Sequence, residues 1–167
     1  GSAKVKPGKK VEVTSKDGKK SEYTASNIVI ATGGRSRELP NIQQDGKKII
    51  GYREAMTLSS QPKSMVIVGS GAIGVEFAYF YNAIGTKVTV VEYLPNIVPL
   101  EDEEVSKALE KSFKKAGIAI MTESSVVSVD SKGSTCKVKV KTKTGEEIIE
   151  CDIVLSAVGV VANIENI

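Results

Sequence analysis

Three glycines, Gly69-x-Gly71-x-x-Gly74, stand between an apolar run, Ser64 to Val68, and a segment of helical periodicity, Ala72 to Ile84. That order puts a tight turn at the start of a helix, where unpaired backbone N–H groups and the positive end of the helix dipole attract anions. Gly69 permits the turn, Gly71 lets a phosphate approach the backbone, and Gly74 lets the helix lie close to the strand. The N–H groups of Ala72 and Ile73 then face the anion. The next apolar run, Lys87 to Val91, ends in Glu92, 18 residues after Gly74. An acid at that spacing suits the hydroxyls of a ribose, so the set points to a dinucleotide. The glycine turn alone is a weak pattern, and its context gives it meaning. Glu92 also selects among dinucleotides. Its carboxylate can accept both hydrogen bonds of an adenosine ribose diol. A 2′-phosphate would meet a like charge, at a cost on the order of 4 kcal/mol for a pair about 4 Å apart and an effective dielectric of about 20. Tyr93, Leu94 and Pro95 supply no Arg to relieve that repulsion, so the expected cofactor is NAD rather than NADP.

Other chemistry is scarce. The chain has no His, no Trp and two Cys, which excludes His-based acid–base work, a His-ligated metal and a disulfide framework. Cys136 and Cys151 fall on two arms of one hairpin pattern with no basic helix N-terminus near in sequence, and they read as free structural thiols. Glu76 lies one turn into the glycine-turn helix, where the dipole favours an acid whether or not it binds anything. In the same helix Phe77 and Tyr81 are most simply core, and Tyr79 and Phe80 are candidates for facing a neighbouring domain.

The elements that must hold these residues follow from patterning. The chain has 167 residues, 41% apolar and 26% charged, with a net charge of +3, an ordinary globular balance. Its lysines are dispersed among acids, so nucleic acid is not an expected partner, and no apolar run is long enough to span a bilayer. Gly1-Ser2-Ala3 looks like an expression scar with no signal peptide after it, and a cytoplasmic location is expected. Val11 to Thr14 and Ser21 to Ala25 flank the turn signal Asp17-Gly18. Asn27 to Thr32 reads as a strand buried on both faces, and Arg35 to Lys48 as a connector. Tyr52 to Leu58 suggests a short helix. A further helix opens at Glu101 and closes at Gly117, followed by a strand at Ile118 to Met121. Val126 to Val129, Thr135 to Lys141 and Glu146 to Glu150 form a meander, and Asp152 to Ala157 is a last buried strand. The stretch from Val11 to Gly33 repeats the layout of Val138 to Ala157, as if one meander with a closing strand occurred in two related domains. The fold class expected is α/β: a Rossmann-type parallel sheet with flanking helices and an antiparallel β-meander, preceded by a small β-rich piece.

Together these residues resemble the flavoprotein disulfide reductases. Ile28-Val29-Ile30-Ala31-Thr32-Gly33, followed by Arg35, Arg37, Leu39 and Pro40, is similar to the strand that leaves the family's FAD domain. Val66 to Phe77 is similar to its NAD turn. Glu92 with Leu94, Pro95, Ile97 and Pro99, then Glu101 to Lys107, resembles the lipoamide branch. The resemblance implies that Glu76 approaches the nicotinamide, that Val126 lies against the adenine side, and that Ala157, Val158 and Gly159 wall the nicotinamide ribose. It places Thr32 and Gly33 on the FAD side. The family continues after that Gly with Arg and then Pro-Asn, and here Val160-Val161-Ala162-Asn163 keeps only the Asn.

The resemblance also implies an organisation: residues 1–3 the scar, 4–45 the C-terminal part of an FAD domain, 46–160 an NAD-binding domain, and 161–167 the start of the return. The parent enzyme would reoxidise dihydrolipoamide through a disulfide and FAD to NAD+, as a homodimer within a 2-oxo-acid dehydrogenase complex. This chain has no closely spaced redox Cys pair, catalytic His, FAD glycine turn or dimerisation domain, so it would bind NAD(H) and catalyse nothing alone. The alternatives are the NAD domain of another flavoprotein reductase (an NADH oxidase or a transhydrogenase), or a free-standing NAD(H)-sensing or interaction module. Without an FAD domain beside it, Asn27 to Thr32 implies an exposed apolar edge and hence self-association. Light scattering is expected to show oligomers growing with concentration; a strict monomer at high concentration would contradict this.

Overall fold

The structure is a computed structural model and describes residues 1–165 and 167. In chain order it begins with β1 (Ser2–Lys6), β2 (Lys10–Thr14), β3 (Lys20–Thr24), β4 (Gly34–Ser36), β5 (Ile49–Ile50) and α1 (Tyr52–Ala55). There follow β6 (Ser64–Val68), α2 (Ala72–Ala83), β7 (Lys87–Val91), α3 (Glu103–Lys115) and β8 (Ala119–Met121). The chain ends through β9 (Ser125–Asp130), β10 (Cys136–Thr142), β11 (Gly145–Cys151), β12 (Ile153–Ser156) and β13 (Val160–Ala162). No helix among the described residues is long and apolar enough to cross a membrane.

The chain divides into two units, Gly1–Arg35 with Val161–Ile167, and Ser36–Val160. In the smaller unit β1, β2 and β3 form an antiparallel meander, the counterpart of the later meander that the internal repeat implies. Ser2 and Ala3, at the end that looks like a scar, are paired with Thr14 and Val13. Lysines and glutamates at diagonal positions on neighbouring strands pair at the surface, Lys6 with Glu12 at 2.5 Å and Lys10 with Glu22 at 2.7 Å.

Asn27 to Thr32 departs from expectation: it is not a strand, and Val29 and Ile30 are 86% and 57% exposed. An apolar run becomes a buried strand only when another strand accepts its hydrogen bonds, and among the described residues none pairs with this one. Thr32 and Gly33 are tied instead to Asn163. Its backbone N–H donates to Gly33 O at 2.9 Å, and its side-chain amide donates to Thr32 O at 3.1 Å. Arg35 donates to Asn163 Oδ1 at 2.7 Å and forks onto the Glu165 carboxylate at 2.6 and 3.1 Å, which lowers the Glu165 pKa.

The larger unit is built on a parallel sheet in the order β5-β12-β6-β7-β8. Its period-2 alternation decides the two faces. Met65 and Ile67 of β6, Val88 and Val90 of β7 and Leu155 of β12 join Val75, Ala78 and Tyr81 of α2 and Phe113 of α3 in one core. Val66 and Val68, Val91 and Val154 join Val126, Val138 and Val140 of the antiparallel sheet β11-β10-β9 in the other. The expected α/β class is what the chain adopts. This compact unit takes in the connector from Ser36 onward, because the connector is anchored: Ile42 is 1% exposed in the meander-side core and Leu39 packs against it. In α2, Phe77 stacks on Tyr81 with centroids 6.2 Å apart, whereas Tyr79 and Phe80 are exposed.

Cys136 and Cys151 are free, buried, and directly opposite each other across β10 and β11. Burial, followed by the charge of neighbouring Cys136, pushes the Cys151 thiol from 9.0 up to about 12. The unfolded chain can ionise this thiol near pH 9 and the folded one cannot, so its contribution is complete below that pH. It fades as pH rises toward 12, by at most about 1.4 kcal/mol per pH unit. Urea unfolding between pH 8 and 11 is expected to show a steeper loss of stability in the wild type than in Cys151→Ala; equal slopes would contradict it.

Candidate dinucleotide site

The carboxyl ends of β6, β7 and β12 open onto a cleft of about 770 Å³, with Val68, Val91 and Ala157 in its wall. This is the place where ligands bind in open parallel sheets, since β7 and β12 leave β6 on opposite sides. Its volume falls in the range of small-molecule and cofactor sites.

The glycine turn forms one wall. Gly69 has φ +97°, and a Cβ there would lie 2.7 Å from Ala157 O. A Cβ on Gly74 would lie 2.1 Å from Gly69 O, so α2 rests on the turn too closely for any side chain. Gly71 is different. Its φ is an ordinary −66°, and a Cβ there would meet nothing within 4 Å. Gly71 thus needs no special backbone and no packing space; it leaves the cleft open beside the start of α2. The helix ladder begins with Val75 N–H on Gly71 O at 3.1 Å, leaving the N–H groups of Ala72, Ile73 and Gly74 at the helix end, the donors that suit a diphosphate.

Glu92 sits at the end of β7, 7% exposed. Its Oε2 accepts from Ser70 N at 2.8 Å and Ser70 Oγ at 2.6 Å, and its Oε1 accepts from Leu94 N at 2.8 Å. A carboxylate offers about four acceptor directions. Three are therefore taken, and one remains for a ribose hydroxyl rather than the two that a diol would use. The loop after Glu92 is fastened to the turn a second time: buried Val98, at an unusual φ of 41° for a β-branched residue, donates its N–H to Ser70 O at 2.9 Å.

Most of the expected site residues line this cleft: Gly69, Gly71, Ala72, Ile73, Glu92, Val126, Ala157 and Gly159. Gly74 lies behind the turn. Glu76 is exposed and not among the lining residues, since one turn along α2 carries it past the lip. Thr32 and Gly33 belong to the other unit. The lining also includes Arg37, Leu39, Asn41, Ser124 and Ser125, which sequence spacing did not single out. Asn41 is held by donating to the carbonyls of Val126 at 2.8 Å and Val127 at 3.0 Å, locking the connector onto β9. The only hint of this in the sequence was the turn pair Pro40-Asn41 ahead of an isolated Ile42.

A glycine-turned Rossmann-type sheet with an acid after its second strand defines a class, and comparison with known proteins bears on it directly. The signature of the pyridine nucleotide-disulphide oxidoreductases matches residues 2–167, and the chain belongs to that family. Among its relatives is the dihydrolipoyl dehydrogenase of Rhizobium etli, 46% identical over 146 residues, 87% of this chain and 30% of that protein. The dihydrolipoyl dehydrogenase of Chlorobaculum parvum is 41% identical over 169 residues, covering 100% of this chain and 36% of the relative. The crystal structure of LpdA from Mycobacterium tuberculosis superposes with a TM-score of 0.83 at 32% identity, over 93% of this chain and 33% of LpdA. The chain thus spans about a third of the length of the curated relatives it matches.

The two glycines separate packing from binding. Gly74→Ala is expected to cost about 1–3 kcal/mol of stability, because α2 must move off Gly69. Gly71→Ala is expected to leave thermal unfolding within about 0.5 kcal/mol of wild type while weakening dinucleotide binding. Equal stability losses in both would contradict this division.

Proposed function

We propose that the cleft binds NAD(H) and that the chain is the NAD-binding part of a dihydrolipoyl dehydrogenase. In this reading Glu92 receives the adenosine ribose and Val126 flanks the adenine. The N–H groups of Ala72, Ile73 and Gly74 receive the diphosphate, and Ala157 to Gly159 stand behind the nicotinamide ribose. The observation that carries the reading is the pairing of an open Cβ direction at Gly71 with a buried, pre-oriented Glu92 carboxylate across the same cleft.

When bound, the nicotinamide would accept hydride from a reduced flavin during reoxidation of dihydrolipoamide. What this chain contributes is binding and orientation. Gly71 admits the dinucleotide to backbone donors, and Ser70 and Leu94 hold Glu92 against rotation. Thr32 and Gly33 would contact the FAD side of the longer protein, and Glu76 would approach the nicotinamide end from the exposed face of α2. FAD, the redox Cys pair and the dimer interface would come from other parts of that protein, within a 2-oxo-acid dehydrogenase complex. The uncovered Val29 and Ile30 support a neighbouring domain over a free-standing sensor, since side chains so exposed gain by being covered.

Titration with NADH and with NADPH, followed by nicotinamide fluorescence, tests the reading. Saturable NADH binding with little NADPH binding is expected. Glu92→Ala should weaken NADH about tenfold, as loss of a charge-assisted hydrogen bond does, and narrow the preference. Circular dichroism checks that the variant is folded. Absence of NADH binding would overturn the reading, and equal binding of both would overturn the role of Glu92.

A further inference from the structure

We propose that Arg37 is a binding residue of this cleft, its guanidinium pairing with the diphosphate of the bound dinucleotide. The inference rests on the NAD(H) reading above and adds a residue to it. Among the side chains lining the cleft, Arg37 is the one base and Glu92 the one acid. A dinucleotide diphosphate brings about two negative charges. The start of a helix answers with roughly half a positive charge, which leaves most of the anion unmatched. Glu92 adds none and repels it.

Arg37 is fixed where it can supply the balance. Its backbone N–H donates to Gly159 O at 2.9 Å, and its Nε lies 4.0 Å from where a Cβ on Gly159 would stand. The segment it grips is the one that seals the glycine turn: a Cβ on Gly69 would meet Ala157 O at 2.7 Å and Val158 N at 3.3 Å. The backbone of Arg37 is therefore held two residues beyond the contact that anchors the turn, and its side chain enters the cleft from that side. A guanidinium carries five N–H donors in a planar fork that matches phosphate oxygens. None of those of Arg37 has a partner among the described residues, whereas Arg35 spends its donors on Asn163 and Glu165. An unpaired guanidinium at the exposed edge of a cleft whose other donors are backbone N–H groups and neutral hydroxyls such as those of Tyr93 and Ser125 supplies the one side-chain positive charge an anion would meet there.

The test compares the wild type with Arg37→Gln and with Lys111→Gln, which removes the same charge from the exposed surface of α3. NADH and ADP-ribose, which carry the diphosphate, and adenosine, which does not, are titrated at low and high salt. Arg37→Gln is expected to bind NADH and ADP-ribose about tenfold or more weakly, to bind adenosine as the wild type does, and to lose much of the salt dependence. Lys111→Gln should behave as wild type, and Arg37→Lys should recover part of the loss. Unfolding temperatures should agree for all, because the Arg37 side chain ties nothing together. NADH binding by Arg37→Gln equal to that of the wild type would overturn the proposal, as would an equal loss for adenosine. A wild type that binds no NADH fails at an earlier point and overturns the NAD(H) reading itself.

Discussion

A carboxylate buried at the end of β7 has to be answered by donors, and the larger unit is arranged around that demand. Left unpaired, such a group is far too costly to keep from water. Glu92 is paired three times, and the bonds fasten two stretches of chain: the glycine turn through the backbone and hydroxyl of Ser70, and the loop after β7 through Leu94. Its own backbone extends the ladder, donating to Met121 O at 2.8 Å and accepting from Ser124 N at 2.9 Å. One acid thereby joins β6, β7 and β8 at the rim where the cleft opens. The same bonds that satisfy the charge also aim it, so little rearrangement is left for a ligand to drive.

The packing on either face of the sheet makes this rim possible. Alternate residues of β6 belong to different cores, one under the helices and one under the meander, so both faces of the central strand are covered and its carboxyl end opens onto the cleft. Gly69 and Gly74 bring α2 against the turn at a distance that excludes any side chain, so the helix start points at the cleft and cannot drift from it. Electrostatics is then set by few groups: a helix end, one acid and one base.

What could be seen in the sequence was whatever depends on near neighbours. The glycine turn, the strands around it and Glu92 obey local rules of spacing and period, and they stand in the structure where those rules put them. The free state of Cys136 and Cys151 agrees with their reading as structural thiols on one hairpin. Arg37 and Asn41 were hidden because the connector has no period; they reach the cleft only through contacts with Gly159 and Val126, more than eighty residues away. Ser70 was hidden for another reason: a variable position in a glycine motif gives no hint that its hydroxyl binds an acid in the next strand. Asn27 to Thr32 misled in the opposite direction. Its apolar residues ask to be covered, and no strand among the described residues covers them.

Whether a dinucleotide lies between the start of α2 and Glu92 can be read from amide NMR on 15N-labelled protein during a titration with NAD+. Saturable shifts are expected at Gly71 to Gly74, Leu94 and Val126, with the amides of the β1–β3 meander unmoved. Saturable binding whose shifts fall elsewhere, or no shift at the glycine turn, would contradict that placement.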